Sequence, residues 1–182
     1  MDFPAKDEEC LYGTTLLVVE DEVRFSRVLQ RFLKLSGVSS IEALDGEQAM
    51  RILEQDEENQ VDAVVTDLRM PVVSGWELIA VLQACRPDLP VVAMSASIPS
   101  TDLLGDVPLL SKPFLPELLL TTLAPMIRRS QQIRRQARQQ RADAAGVRSE
   151  SSYHRNVAEH QRAWSGDLRA ALLSYRASLR KL

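Results

Sequence analysis

Residues 61–78 read VDAVVTDLRMPVVSGWEL, and the order of residue types in this stretch decides the architecture. Val61 to Thr66 is a short, mostly apolar and β-branched run, too brief for a helix, and reads as a strand. A carboxylate, Asp67, stands at its end. Pro71 and Gly75 then interrupt regular structure, and the apolar spacing from Trp76 to Cys85 is that of a helix.

The same rhythm extends on both sides. Upstream, Thr15 to Val19 is an aliphatic strand running into Glu20, Asp21 and Glu22. From Phe25 to Leu35 the apolar residues Phe25, Val28, Leu29, Phe32 and Leu33 recur at helical spacing, and Gly37 is placed to leave that helix in the left-handed conformation. Val38 to Leu44 gives a second strand, after which Asp45 with Gln48 resembles a capping box opening the helix of Ala49, Met50, Ile52 and Leu53. Downstream, Val91 to Met94 reads as a fourth strand and Val107 to Leu110 as a shorter fifth, followed by a helix beginning near Pro116 that carries Leu118, Leu119, Leu123 and Ile127. Strands alternating with helices predict an α/β fold, a doubly wound five-stranded parallel sheet covered on both faces.

Ligands of such sheets bind beyond the C-terminal strand ends, where the strand order reverses. Glu20 and Asp21 close the first strand, Asp67 the third and Ser95 the fourth, and Lys112 lies just past the fifth, so these five are expected at one edge. Three carboxylates brought together repel one another unless a cation neutralises them. A hard divalent ion, magnesium (Mg2+), suits oxygen ligands and is commonly held by one or two carboxylates plus a phosphate oxygen. Asp67 can then act as a nucleophile toward phosphorus, Ser95 can donate a hydrogen bond to the new phosphoryl group, and Lys112 can offset its charge.

The segments LLVVEDE (16–22), VVTDLRMPVVSGWEL (64–78), PVVAMSAS (90–97) and LLSKPF (109–114) together resemble the receiver domain of two-component response regulators, over residues 14–128. The resemblance implies a flavodoxin-like fold, with Asp67 as phosphoacceptor, Asp21 as direct Mg2+ ligand and Glu20 as a second acidic ligand acting through water. It also implies the main-chain carbonyl of Arg69 as a further metal ligand, Ser95 as the switch hydroxyl, Lys112 as the site cation and a cis bond between Lys112 and Pro113. The implied partner is a histidine kinase or a histidine phosphotransfer protein, and the chain is expected to be a phosphoacceptor in a phosphorelay rather than an enzyme, with at most slow self-dephosphorylation. Three departures stand out. Leu109 replaces an aromatic residue that the family often carries, so the switch is expected to be wired differently. The 16 residues between Ser95 and Lys112, with Pro99, Gly105 and Pro108 among them, are short for a full helix and its loops. Arg69 and Ser97, two residues past Asp67 and Ser95, occupy places where the family tunes acyl phosphate hydrolysis, and Arg69 is expected to shield the phosphoryl group from water.

The rest of the chain bounds this reading. Its 182 residues, 45% apolar, suffice for one core and an appended segment, divided as 1–13, 14–128 and 129–182. Cys10 and Cys85 lack metal-ligand spacing, and the acidic opening from Met1 to Glu9 lacks the features of a signal peptide. No apolar run approaches the roughly 18 residues that cross a bilayer; a cytoplasmic protein with no membrane contact is expected. Residues 1–127 hold 9 Lys/Arg against 21 Asp/Glu, a net −12, whereas 128–182 hold 13 against 4, a net +9.

That basic tail is rich in Arg, Gln and Ala, all good helix formers, and contains no proline. Arginines recur every seven residues from Arg134 to Arg176, in phase with a coiled-coil seam through Ala137, Gln140, Ala144 and Val147 that becomes strongly apolar at Leu168, Leu172 and Leu179. A homodimer through this helix is one expectation. Gly146 is a candidate break, and Trp164 with Val157 broadens the apolar face, so a helix folding back on its own domain is another. A scaffold or pseudoreceiver acting through the tail competes with the phosphoacceptor reading. Nucleic-acid binding ranks lower, because an arginine stripe gives phosphate contact without base readout and no helix-turn-helix signature is present. His154 and His160 sit in no phosphotransfer motif.

Overall fold

The computed structural model of the chain describes residues 11–56, 58, 60–97 and 104–145. Five parallel strands, β1 (Thr15–Val19), β2 (Ser39–Ala43), β3 (Ala63–Asp67), β4 (Val91–Ser95) and β5 (Leu109–Ser111), form one sheet in the order β2-β1-β3-β4-β5. They alternate with α1 (Val23–Leu35), α2 (Gly46–Gln55), α3 (Gly75–Cys85) and α4 (Pro116–Ala145). The doubly wound parallel sheet expected from the alternation is therefore present, in the flavodoxin-like order that the resemblance implies.

Side-chain alternation along each strand builds the two faces. Leu17, Val19 and Val64 pack with Ala49, Met50 and Leu53 of α2 and with Leu78, Ile79 and Leu82 of α3. Leu16, Val18, Ala63 and Val65 point the other way, onto Leu29 and Leu33 of α1 and Leu119, Leu123 and Ile127 of α4. With both faces covered, β3 and β4 are buried along their whole length. From β1 the chain winds outward to β2 and then returns past β1 to β3, so the strand order reverses between β1 and β3, where Val19 lies beside Thr66.

Several boundaries differ from the sequence reading for identifiable reasons. The fifth strand starts at Leu109, two residues later than expected. Val107 N–H is taken up by a turn to the Leu104 carbonyl, and Pro108 has no N–H to donate, offering the sheet only its carbonyl, to Ala93 N–H at 2.8 Å. Helix α3 opens on a full capping box that the breakers Pro71 and Gly75 had masked: Ser74 Oγ accepts from Glu77 N–H, and Glu77 Oε2 accepts from Ser74 N–H at 3.0 Å. At α2, Asp45 Oδ1 accepts from Gln48 N–H at 2.7 Å, while Gln48 Oε1 reaches back to Leu44, one residue before the cap. Gly37 adopts φ +73°, closing α1 as expected.

Helix α4 continues without a break through residue 128 to Ala145. Its extension is fastened to the N-terminal edge of the sheet. Ser130 Oγ donates to the Asp88 carbonyl at 2.7 Å, Arg134 Nε meets Asp88 Oδ2 at 3.4 Å, and Gln131 donates to Asp62 at 3.4 Å. The seam from Val147 onward, Gly146, Val157, Trp164, His154, His160 and the acidic opening lie outside the described residues, as does the stretch 98–103 with Pro99. Among the described residues, no helix stands between β4 and β5, and no helix is long and apolar enough to cross a membrane.

Candidate functional site

The sheet delivers the expected acids to its C-terminal edge. Glu20 extends β1 by one ladder bond, from its N–H to the Ala43 carbonyl at 2.9 Å, and is buried to 1% exposure. Asp67 is the last residue of β3, 9% exposed, and its Oδ1 accepts from Arg69 N–H at 2.8 Å. Asp21, beside Glu20, is exposed. One carboxylate oxygen from each of Glu20, Asp21 and Asp67 can be chosen so that all three lie within 4.8 Å of one another.

Lys112 closes the cluster from the end of β5. Its N–H donates to the Ser95 carbonyl at 2.7 Å, which holds the residue against β4, and its peptide bond to Pro113 is cis. The ammonium Nζ bridges Glu20 Oε2 and Asp67 Oδ2, 2.5 Å from each. Burial raises the Glu20 pKa, and the Asp67 charge adds to this, against the opposing pull of Lys112. For Lys112, burial pulls the pKa down, but the hydrogen bonds and charges of Asp67 and Glu20 outweigh it and leave the pKa raised. With all four groups ionised, three carboxylates and one ammonium leave two negative charges, which suits a divalent cation with hard oxygen ligands.

Ser95 is buried at the end of β4, its Oγ accepting from Ser97 N–H at 3.3 Å. Arg69 contributes its backbone N–H, and its side chain is exposed. Leu109 is half-buried against the α2/α3 core face. Gly75 lets α3 start directly on the phosphoacceptor candidate's backbone: a Cβ there would fall 2.0 Å from the Asp67 carbonyl oxygen.

Sequence reasoning missed two features. It assigned Lys112 a task toward phosphate and did not foresee that the ammonium ties Glu20 to Asp67. It also read Phe25 only as an apolar helix position, whereas Lys112 Nζ lies 4.3 Å from the Phe25 ring centroid, and Phe114 stands edge-on to that ring at 5.9 Å and 73°. Nothing in the helical spacing of Phe25 marks that contact.

The model of the response regulator receiver domain family matches residues 16–124. The transcriptional regulatory protein PrrA of Mycobacterium tuberculosis is 34% identical over 119 residues, 63% of this chain and 50% of PrrA. The response regulator GtcR of Aneurinibacillus migulanus is 33% identical over 121 residues, 64% of this chain and 48% of GtcR. The chain thus spans about half the length of the curated relatives it matches. A response regulator receiver domain protein from Clostridium thermocellum superposes with a TM-score of 0.60 at 21% identity, covering 66% of this chain and 98% of that one, and shares the fold.

Proposed function

The chain belongs to the response regulator receiver domain family, and on that premise we propose that Asp67 is the phosphoacceptor of a two-component or phosphorelay switch. The observation that carries this reading is the bridge from Lys112 to Glu20 and Asp67, with Asp21 completing the acidic cluster beside it. A phosphohistidine on a histidine kinase or phosphotransfer protein is the donor. An Asp67 carboxylate oxygen attacks phosphorus, a P–O bond forms as the P–N bond breaks, and the imidazole leaves with the electron pair and takes a proton from solvent.

Magnesium supplies positive charge that screens the donor phosphate from the carboxylates. Glu20, Asp21, Asp67 and the Arg69 carbonyl would hold it. Lys112 keeps one oxygen neighbour at Glu20 while its contact with Asp67 passes to the new phosphoryl oxygen. Ser95 Oγ accepts from Ser97, a role that leaves its hydroxyl proton for a phosphoryl oxygen. The exposed Arg69 side chain lies two residues from Asp67, where it can shield the acyl phosphate from water.

We further propose that residues 14–128 act as the switch in the cytoplasm and that 129–182 serve self-association. Ile133, 45% exposed, and Ala137 stand in the heptad phase read through the tail, whereas Met126, one heptad before Ile133, packs against the domain's own core. A second copy of the chain is the occupant this face fits. The deciding experiment is the intact mass of the full chain after treatment with acetyl phosphate, with and without magnesium. One added phosphoryl group that requires magnesium and disappears in Asp67→Asn is expected; incorporation that persists in Asp67→Asn removes the reading.

A further inference from the structure

The Lys112 ammonium has a neighbour that the phosphoryl chemistry leaves unused. Phe25 lies in the first turn of α1, with its ring centroid 4.3 Å from Nζ, while the two close oxygens of that ammonium belong to Glu20 and Asp67. Phe114, two residues after Lys112 in the chain, meets the Phe25 ring edge-on at 5.9 Å. Both rings pack against the core face shared by α1 and α4, so α1 and the segment that carries the lysine fix one another.

A phenyl face attracts an ammonium through its quadrupole, more strongly when water is excluded, yet competes poorly with oxygen as a hydrogen-bond acceptor. Placed on a lysine whose side chain is only 11% exposed, it displaces hydration from the cation while leaving the N–H donors to oxygen. An aliphatic side chain of similar size would exclude water without attracting the charge. An amide or hydroxyl would bind the ammonium and draw it off the carboxylates.

We propose that Phe25 is a positioning residue: its ring holds the Lys112 ammonium, dry, against Asp67 and afterwards against the phosphoryl group that Asp67 carries. This role rests on the phosphoacceptor reading. It places in α1 a determinant of how firmly the site holds a phosphoryl group, on an element that supplies none of the five residues read from the strand ends.

The test uses the full chain with Phe25 replaced by phenylalanines bearing one, two or three ring fluorines, which keep the shape and progressively cancel the negative face, together with Phe25→Tyr and Phe25→Leu. Two quantities are measured: the NMR shift of the Lys112 ε-methylene protons without any phosphodonor, and the beryllofluoride concentration that half-saturates the protein with magnesium. The expected result is an upfield ε-methylene signal that Phe25→Leu abolishes. Beryllofluoride affinity should fall with each fluorine and be about tenfold weaker in Phe25→Leu, while Phe25→Tyr stays within about twofold. If Phe25→Leu fails to fold, the fluorinated series still decides. An affinity indifferent to fluorination overturns the electrostatic role, and an unshifted ε-methylene in the wild type overturns the contact itself. A wild type with the shifted signal but no beryllofluoride binding overturns the phosphoacceptor reading, and the positioning role with it.

Discussion

The two edges of the sheet each gather acids around basic side chains, and they do opposite things with them. At the C-terminal edge, Glu20, Asp21 and Asp67 cluster beside one ammonium that bridges Glu20 and Asp67, leaving an excess of negative charge that suits a cation. At the N-terminal edge the acids are individually occupied. Asp56 accepts from Gln60 and Val61 N–H at 2.6 and 3.2 Å and faces Arg86, Asp62 accepts from Thr15 N–H at 3.0 Å, and Asp88 faces Arg134. Burial and the neighbouring Arg134 lower the Arg86 pKa, against the opposing pull of Asp56 and Asp88. Clustered charge therefore does not define a site: at the N-terminal edge each acid is met by a backbone N–H or by an arginine, whereas at the crevice between β1 and β3 three carboxylates gather beside one ammonium. The paired edge anchors the α4 extension.

The sharpest way to break this contrast is to move function between the edges. Asp67→Asn is expected to abolish phosphoryl incorporation, whereas Asp88→Asn should leave it within about twofold, both read by intact mass. Equal losses would show that the two edges are not separable.

Next in size is Gly75→Ala. Its Cβ would sit 2.0 Å from the Asp67 carbonyl, so α3 must retreat from β3, at about 2 to 4 kcal/mol by denaturant unfolding, with phosphorylation impaired as well. A stable Gly75→Ala variant would mean that α3 and Asp67 are not rigidly coupled.

Magnesium should raise the unfolding free energy of the full chain through preferential binding to the folded state, by about 1 kcal/mol at a few times its dissociation constant, read by denaturant unfolding with chelation reversing the gain. Lys112→Met frees Glu20 and Asp67 from their competing cation, so it should tighten magnesium binding while slowing phosphoryl incorporation. If magnesium binding weakened instead, the bridge would have to organise the acidic ligands rather than compete for them.

Arg134→Ala tests the other edge. A loss of about 1 to 2 kcal/mol is expected, along with faster hydrogen exchange in residues 129–145 and unchanged phosphorylation. The smallest effect concerns the loop after Asp67. Val72 holds φ +65°, a conformation that β-branched residues adopt at a cost, and Val72→Asn should stabilise the protein by about 0.5 to 1 kcal/mol in thermal unfolding.

Much of the fold is legible in local pattern. The aliphatic strands flanked by breakers, the helical spacing of α1 and α4, and Gly37 at its left-handed φ all follow from signals a few residues long, because periodicity and turn chemistry act at that range. Where the reading slipped, the competing signal was also local. Pro108 delayed β5 by withholding a donor, and the Ser74 and Glu77 capping box was overshadowed by the breakers beside it.

The residue types of the site could likewise be read from the ends of four strands, since a parallel sheet must carry those ends to one edge whatever its side chains do. What no local pattern contains is who meets whom. Lys112 spans 92 residues to reach Glu20 and 45 to reach Asp67, Phe25 reaches the same ammonium from α1, and Ser130 and Arg134 find Asp88 more than 40 residues upstream. Sequence determined the elements and the chemical inventory, because both are set by neighbours along the chain. Tertiary structure decided the pairing, because Coulombic, ring and hydrogen-bond contacts depend on distances through space that exist only once the helices are packed on the sheet.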